Sequence, residues 1–168
     1  MAVFSRVIDR IKSRGWHVVL HVDAPDIVAL SPMIRRLPLP FIIDHMGRVP
    51  SAAGVDQPPL RAFIELSQLE NCWIKVCGSE RISMPPYTAA IPIAHALIEA
   101  APERVLWGTD FPHPNATHEA DEADLVDLVP QFAPDPLGGQ SSTASWFQLN
   151  NNKTAKITEE THYGEGTF

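Results

Sequence analysis

The sequence predicts a parallel α/β fold, because four short apolar segments alternate with longer amphipathic segments along the first 135 residues. The apolar segments recur roughly every 30 residues, which is the length of one β/α unit. Each segment is a continuous apolar run, as is typical of strands that are buried on both faces of a parallel sheet. Each also ends in a polar loop that carries titratable residues, where active sites of such folds collect.

Predicted helices and strands alternate along the chain as far as residue 129. An amphipathic helix opens the chain at residues 2–14, with its apolar face formed by Val3, Phe4, Val7, Ile8 and Ile11. Strands are predicted at residues 17–22, 41–45, 71–78 and 104–110. Helices are predicted at residues 26–37, 58–69, 87–101 and 119–129.

The composition indicates one globular domain with an irregular tail. Of 168 residues, 45% are hydrophobic and 20% are charged, which is ordinary for a globular protein. We assign residues 1–135 to the folded domain and residues 136–168, which are polar and aperiodic, to a loosely ordered tail.

The charge and the apolar runs exclude several classes of partner. The formal net charge of −7 argues against a nucleic-acid-binding protein. No apolar run approaches the roughly 20 residues of a membrane-spanning helix, and the first residues lack the pattern of a secretory signal. No glycine-rich phosphate loop follows any predicted strand, so nucleotide binding has no support. We therefore expect a cytoplasmic protein without a membrane or nucleic-acid partner.

Two strand ends carry the strongest candidates for catalysis. Asp110 ends the fourth predicted strand and is followed by Phe-Pro-His-Pro, which forces the chain out of the strand. Its carboxylate suits a general base or a metal ligand, and helix capping is the structural alternative. His45 ends the second strand, where alternation places either His45 or Asp44 toward the site.

Three further residues are candidates for binding a substrate. His21 lies at the loop end of the first strand, and Arg81 lies just beyond the third, where a guanidinium can bind a carboxylate in a forked geometry. The alternative for Arg81 is a surface pair with Glu80. His113, in the loop after Asp110, is a candidate for the rim of the site, and a solvated loop histidine is its alternative.

Three segments together resemble a known family. They are Ile-Ile-Asp-His-Met-Gly-Arg at 42–48, Val-Cys-Gly-Ser-Glu-Arg-Ile at 76–82 and Val-Leu-Trp-Gly-Thr-Asp-Phe-Pro-His at 105–113. In this order they resemble the amidohydrolase-2 branch of the amidohydrolase superfamily, and within it the 2-pyrone-4,6-dicarboxylate lactonase group. The resemblance covers residues 1–135 and implies four carboxyl-terminal units of a TIM (β/α)8 barrel, a partial barrel of about half the usual length.

The resemblance also implies roles for the candidates. Asp110 would activate the water that opens a small carboxylated lactone, His45 would face the same cavity, and Arg81 would bind a substrate carboxylate. Some relatives use a divalent metal such as zinc, for which His45 and Asp110 would be the ligands here. The His-x-His motif of the first family strand is absent from this sequence, so we expect no metal and no other cofactor.

Two alternatives remain open at the level of the sequence. One is a metal-dependent decarboxylase or hydratase of the same superfamily. The other is a non-catalytic half barrel, completed by self-association or by a partner chain that supplies the missing strands, since an open parallel sheet leaves edges and an apolar face uncovered.

Overall fold

A four-stranded parallel sheet forms the centre of the computed structural model, which describes residues 2–113, 118 and 120–132. The strands are β1 (Val18–Leu20), β2 (Phe41–Ile43), β3 (Cys72–Val76) and β4 (Val105–Trp107). They pair in the order β1-β2-β3-β4, and all three pairings are parallel. The predicted parallel α/β fold is confirmed. All four strands are shorter than predicted, because the polar residues at their ends turn out of the ladder.

The helices follow the strands in the predicted order. They are α1 (Ala2–Ile11), α2 (Ala24–Ile34), α3 (Pro58–Ser67), α4 (Ser79–Ile82), α5 (Ile91–Ala100), α6 (Glu122–Val126) and α7 (Val129–Phe132). Short 3₁₀ turns lie at Lys12–Arg14, His45–Arg48, Ser51–Ala53 and Thr88–Ala90. The single helix expected at 119–129 is divided into α6 and α7, and residue 119 lies outside the described residues, as does the tail at 136–168.

The two faces of the sheet have different environments. One face packs in the main hydrophobic core with α2, α3 and α5, and its strand residues include Phe41, Ile74 and Val105, all fully buried. The other face carries Val19 on β1 and, in register on β3, Trp73, and Val19 is 50% exposed. The continuous apolar runs predict that other elements cover both faces of the sheet. Among the described residues, only one face is fully covered.

The amino-terminal helix corrects one expectation about the core. Ile8 is buried, and Phe4 and Ile11 pack against the core. Val3 and Val7, which the sequence pattern assigns to the same apolar face, are 64% and 47% exposed. The helix therefore contacts the core along a stripe narrower than its apolar face.

The described helices are short. The longest of them, α2, has 11 residues, and none in the described part of the chain is long and apolar enough to cross a membrane.

Cys72 and Cys77 are both buried free thiols.

Replacement of a core residue in the central strand tests this arrangement. We expect Ile74→Ala to lower the free energy of unfolding by about 2 to 5 kcal/mol, because Ile74 is fully buried between β2 and β4. Val19→Ala on the exposed face is the control, and its cost is expected to stay below about 1 kcal/mol. Urea unfolding of the two variants measures the difference, and equal losses would contradict the assignment of the covered face.

Candidate active site

The carboxylate of Asp110 is held from two sides by residues of neighbouring β/α units. His45 Nε2 lies 2.9 Å from Asp110 Oδ1, and Arg81 Nε donates to Asp110 Oδ2 over 2.6 Å. A carboxylate only accepts hydrogen bonds, so Nε2 of His45 carries the proton in this contact. The three side chains come from the ends of β2, β3 and β4, where the sequence predicts a shared site.

These contacts keep Asp110 ionised. Burial acts to raise the pKa of the Asp110 carboxyl, but the hydrogen bonds from Arg81 and His45 and the positive charge of Arg81 act against burial, and the pKa lies below the ordinary value. At neutral pH the site therefore presents an anionic oxygen that can accept a proton.

His45 reaches Asp110 through a left-handed turn. The strand ends at Ile43, and the four residues His45–Arg48 have φ angles of 53°, 48°, 60° and 48°. Left-handed backbone is costly for residues other than glycine. Strand alternation predicts that either Asp44 or His45 faces the site. That expectation is wrong, because the turn brings both side chains to it.

Asp44 connects this turn to the neighbouring strand. Its Oδ1 accepts the backbone N–H of His45 over 3.0 Å and lies 3.1 Å from Lys75 Nζ. The thiol of Cys77 lies 3.4 Å from the same oxygen, while Asp44 Oδ2 lies 3.6 Å from His45 Nδ1. Asp44 therefore fixes the backbone of His45 and connects the turn to β3, a role that strand alternation did not assign to it.

Lys75 and Cys77 differ in charge. Burial acts to lower the pKa of Lys75, but the charge of the Asp44 carboxylate and its hydrogen bond act to raise it, and the pKa lies above its ordinary value, so Lys75 is an ammonium ion. Burial raises the pKa of Cys77, which leaves a neutral thiol.

His21 lies beside the catalytic candidates, together with an arginine that sequence reasoning missed. The ring centroids of His21 and His45 are 4.7 Å apart. Arg48 donates from Nη1 to His21 Nε2 over 3.0 Å and pairs through Nε with Asp23 at 2.9 Å. Arg48 is part of the motif at 42–48, which is the signal that could have identified it.

Arg81 is a buried residue of the site, so the alternative of a surface arginine is wrong. Its side chain is 7% exposed and contacts both Asp110 and Glu80. Gly78, with φ of 73°, precedes α4, and its lack of a side chain leaves space for the side chain of Arg81. A Cβ on Gly78 would lie 3.2 Å from both Arg81 Cδ and His45 Cβ.

His113 lies deeper than the rim position that the sequence predicts. Its ring nitrogens are inaccessible to solvent and face two carboxylates: Nδ1 is 3.5 Å from Glu80 Oε1, and Nε2 is 3.4 Å from Glu122 Oε1. Glu80 is itself fully buried, and burial raises its pKa, an effect to which the charge of Asp110 adds. Sequence reasoning treated Glu80 only as a surface partner of Arg81.

Two clusters among the described residues hold three atoms of metal-ligating type within 4.8 Å of one another. They are Asp44 with His45 and Cys77, and Glu80 with Asp110 and His113. In each cluster a cationic side chain already contacts a carboxylate, Lys75 in the first and Arg81 in the second. The two predicted ligands, His45 and Asp110, are hydrogen-bonded to each other. These donor sets therefore do not fit a divalent cation.

Comparison with known proteins identifies a family. Residues 2–137 match the family model described as Amidohydrolase. The chain is 38% identical over 138 residues to a 4-sulfomuconolactone hydrolase of Hydrogenophaga intermedia, covering 79% of this chain and 46% of that protein. It is 37% identical over 140 residues to a 2-pyrone-4,6-dicarboxylate hydrolase of Comamonas testosteroni, covering 76% and 46%.

A solved structure shares the fold. An apo structure from Agrobacterium tumefaciens superposes with a TM-score of 0.75 at 22% identity, over 93% of this chain and 55% of that one. The chain spans about half the length of the curated relatives it matches.

A substitution at Gly78 tests how the site is assembled. Gly78→Ala adds a Cβ against His45 and Arg81 and also introduces left-handed strain, whereas Gly15→Ala, at φ of 70° with nothing within 4 Å, introduces the strain alone. We expect both variants to lose about 1 to 2 kcal/mol of stability. Only Gly78→Ala is expected to shift the side-chain NMR signals of His45 and Arg81. Unchanged signals in Gly78→Ala would contradict the close approach.

Proposed function

Because this chain belongs to the amidohydrolase family, we propose that its site is that of a hydrolase that opens a small carboxylated lactone, such as 2-pyrone-4,6-dicarboxylate. The observation that carries the proposal is the ionised carboxylate of Asp110, held between His45 and Arg81. The names of two relatives, a sulfomuconolactone hydrolase and a pyrone dicarboxylate hydrolase, support the substrate class.

Asp110 is the base that activates water. Water attacks the ester carbonyl of the lactone while Asp110 removes one of its protons, and the negative charge moves to the carbonyl oxygen. We assign the stabilisation of that oxygen to the Nε2–H of His45, which in the free site is bonded to Asp110 Oδ1. The ammonium of Lys75 adds positive charge on the same side of the sheet.

Arg81 supplies recognition of the substrate carboxylate. Its Nε is bonded to Asp110, which orients the Nη groups of a planar guanidinium, the group best suited to a forked contact with a carboxylate. His21 and Arg48 lie at the same end of the sheet as a second donor pair. His113 faces Glu80 and Glu122, so we assign it no contact with the substrate.

The proposed reaction uses no metal, because in both clusters of metal-ligating atoms a carboxylate contacts Lys75 or Arg81. This also favours the hydrolase over the metal-dependent decarboxylase or hydratase that the sequence left open. No step in the scheme passes through a metal or another cofactor.

The part of the family's barrel that this chain does not span contributes to turnover. The four β/α units form a partial barrel, and the half-exposed face with Val19 and Trp73 is where further strands would enclose the substrate. A longer form of this chain, a second copy or a partner chain are the candidate sources of those strands. The oligomeric state is therefore recorded with every activity measurement.

Hydrolysis of 2-pyrone-4,6-dicarboxylate, followed by ultraviolet absorbance, tests the function. We expect Asp110→Asn to lower turnover by about 10²- to 10⁴-fold, because the amide cannot accept the proton of the attacking water. Asp9→Asn, at an exposed surface pair, is the matched control and is expected to retain activity. Turnover that survives in Asp110→Asn would refute the assignment. A folded wild-type chain that shows no turnover, either alone or with the missing half of the barrel supplied in trans, would refute the function.

The pH profile tests the contact between Arg81 and Asp110. Arg81 lowers the pKa of Asp110, so the base stays ionised as the pH falls. In Arg81→Gln the effect of burial on the pKa of Asp110 is less opposed, so this pKa is expected to rise. The acid limb of kcat/KM is therefore expected to move to higher pH. KM for the dicarboxylate is expected to rise as well. Arg81→Lys is the charge-retaining control, and an acid limb that stays in place in Arg81→Gln would argue against the contact.

A further inference from the structure

Glu80 is the most unusual polar side chain of the described structure that the proposed mechanism leaves unused. It is fully buried, and neither carboxylate oxygen has a hydrogen bond among the described residues. Such a group costs free energy unless charge or function compensates for it. The nitrogen atoms closest to Oε1 in the ion-pair geometry are Arg81 Nε at 3.6 Å and His113 Nδ1 at 3.5 Å.

A line of titratable groups runs from the site to the protein surface through Glu80. The ligating atoms of Asp110, Glu80 and His113 lie within 4.8 Å of one another. On the opposite side of the imidazole, His113 Nε2 lies 3.4 Å from Oε1 of Glu122, a residue of α6. The side chain of Glu122 is 47% exposed. An imidazole can accept a proton at one nitrogen and release another from the second. His113 therefore lies between a buried carboxylate and one in contact with water.

Lactone hydrolysis produces one proton that has to leave. The first proton of water passes to Asp110 and then to the ring oxygen when the C–O bond breaks, so the alcohol or enol product is neutral. The other product is a carboxylic acid, which ionises near neutral pH and returns one proton to Asp110. One turnover thus consumes a lactone and a water, and yields a carboxylate, a hydroxyl group and one proton.

We propose that Glu80, His113 and Glu122 form the path by which this proton passes from Asp110 to solvent. The inference rests on the proposed function. In each cycle Asp110 passes its proton to the Glu80–His113 pair, His113 releases one from Nε2 to Glu122, and water removes it. Asp110 is then ionised for the next molecule of water.

Rescue by buffer distinguishes proton transfer from a structural role. We expect Glu122→Gln and His113→Gln to lower kcat about tenfold in dilute buffer, since general acid–base steps contribute at least that much. Imidazole in the buffer is expected to restore kcat in proportion to its concentration, and to leave Asp110→Asn inactive. Glu99→Gln, at another exposed helical glutamate, is the matched control and is expected to behave as the wild type. Equal rates in Glu122→Gln and Glu99→Gln, or no rescue by imidazole, would overturn the path.

A second measurement does not depend on turnover. Exchange of the His113 ring N–H proton with solvent, followed by ¹⁵N NMR, is expected to slow in Glu122→Gln and in Glu80→Gln but not in Glu99→Gln. Unchanged exchange would overturn the path even in an active enzyme. Slowed exchange in a chain without turnover would instead uphold the path and count against the proposed function, so the two failures are separable.

Discussion

The site depends on one steric constraint at the end of the central strand. His45 follows β2 and Asp110 follows β4, so β3 separates them by about 10 Å, two strand spacings. Their side chains nevertheless meet, because both residues have left-handed backbone, with φ of 53° and 72°, and turn inward over the end of β3. Gly78 lies at that point, and its missing Cβ leaves the space that His45 occupies. A Cβ at this position would come within 3.2 Å of both His45 and Arg81, so the contact between the two strand ends would have to adjust.

The strain of this arrangement is offset by charge pairing across the strand ends. Left-handed backbone costs roughly 1 to 2 kcal/mol for each residue other than glycine. Asp44 holds the turn through the backbone of His45 and through Lys75 on the next strand. Removing one partner of a buried pair leaves an uncompensated charge, typically a loss of about 3 to 5 kcal/mol. Lys75 therefore helps to hold the backbone geometry of the turn through Asp44, and Arg81 lowers the pKa of Asp110.

The sequence predicts which residues meet, and fails where the backbone leaves its regular path. Apolar runs of strand length predict a parallel sheet, and its strand ends bring Asp110, His45 and Arg81 together whatever the details of the loops. The period of two cannot predict the positions of Asp44 and His45 beyond Ile43, since it holds only while the chain stays in the ladder. Glu80 was missed because a charged residue beside a loop is ordinarily exposed. Its burial follows from α4, a turn of four residues that no periodicity reveals.

The geometry also separates what holds the site from what encloses a substrate. Every hydrogen bond and ion pair of the Asp110 and Asp44 side chains is made, among the described residues, within the last three of the four β/α units. The carboxylate, imidazole and guanidinium are thus positioned by the part of the family that this chain contains. The incompletely covered face of the sheet lies beside them, and Trp73 and Lys75 both lie on this face of β3. Strands packed on that face would exclude water and strengthen the electrostatic contacts with a substrate, without being needed to position Asp110.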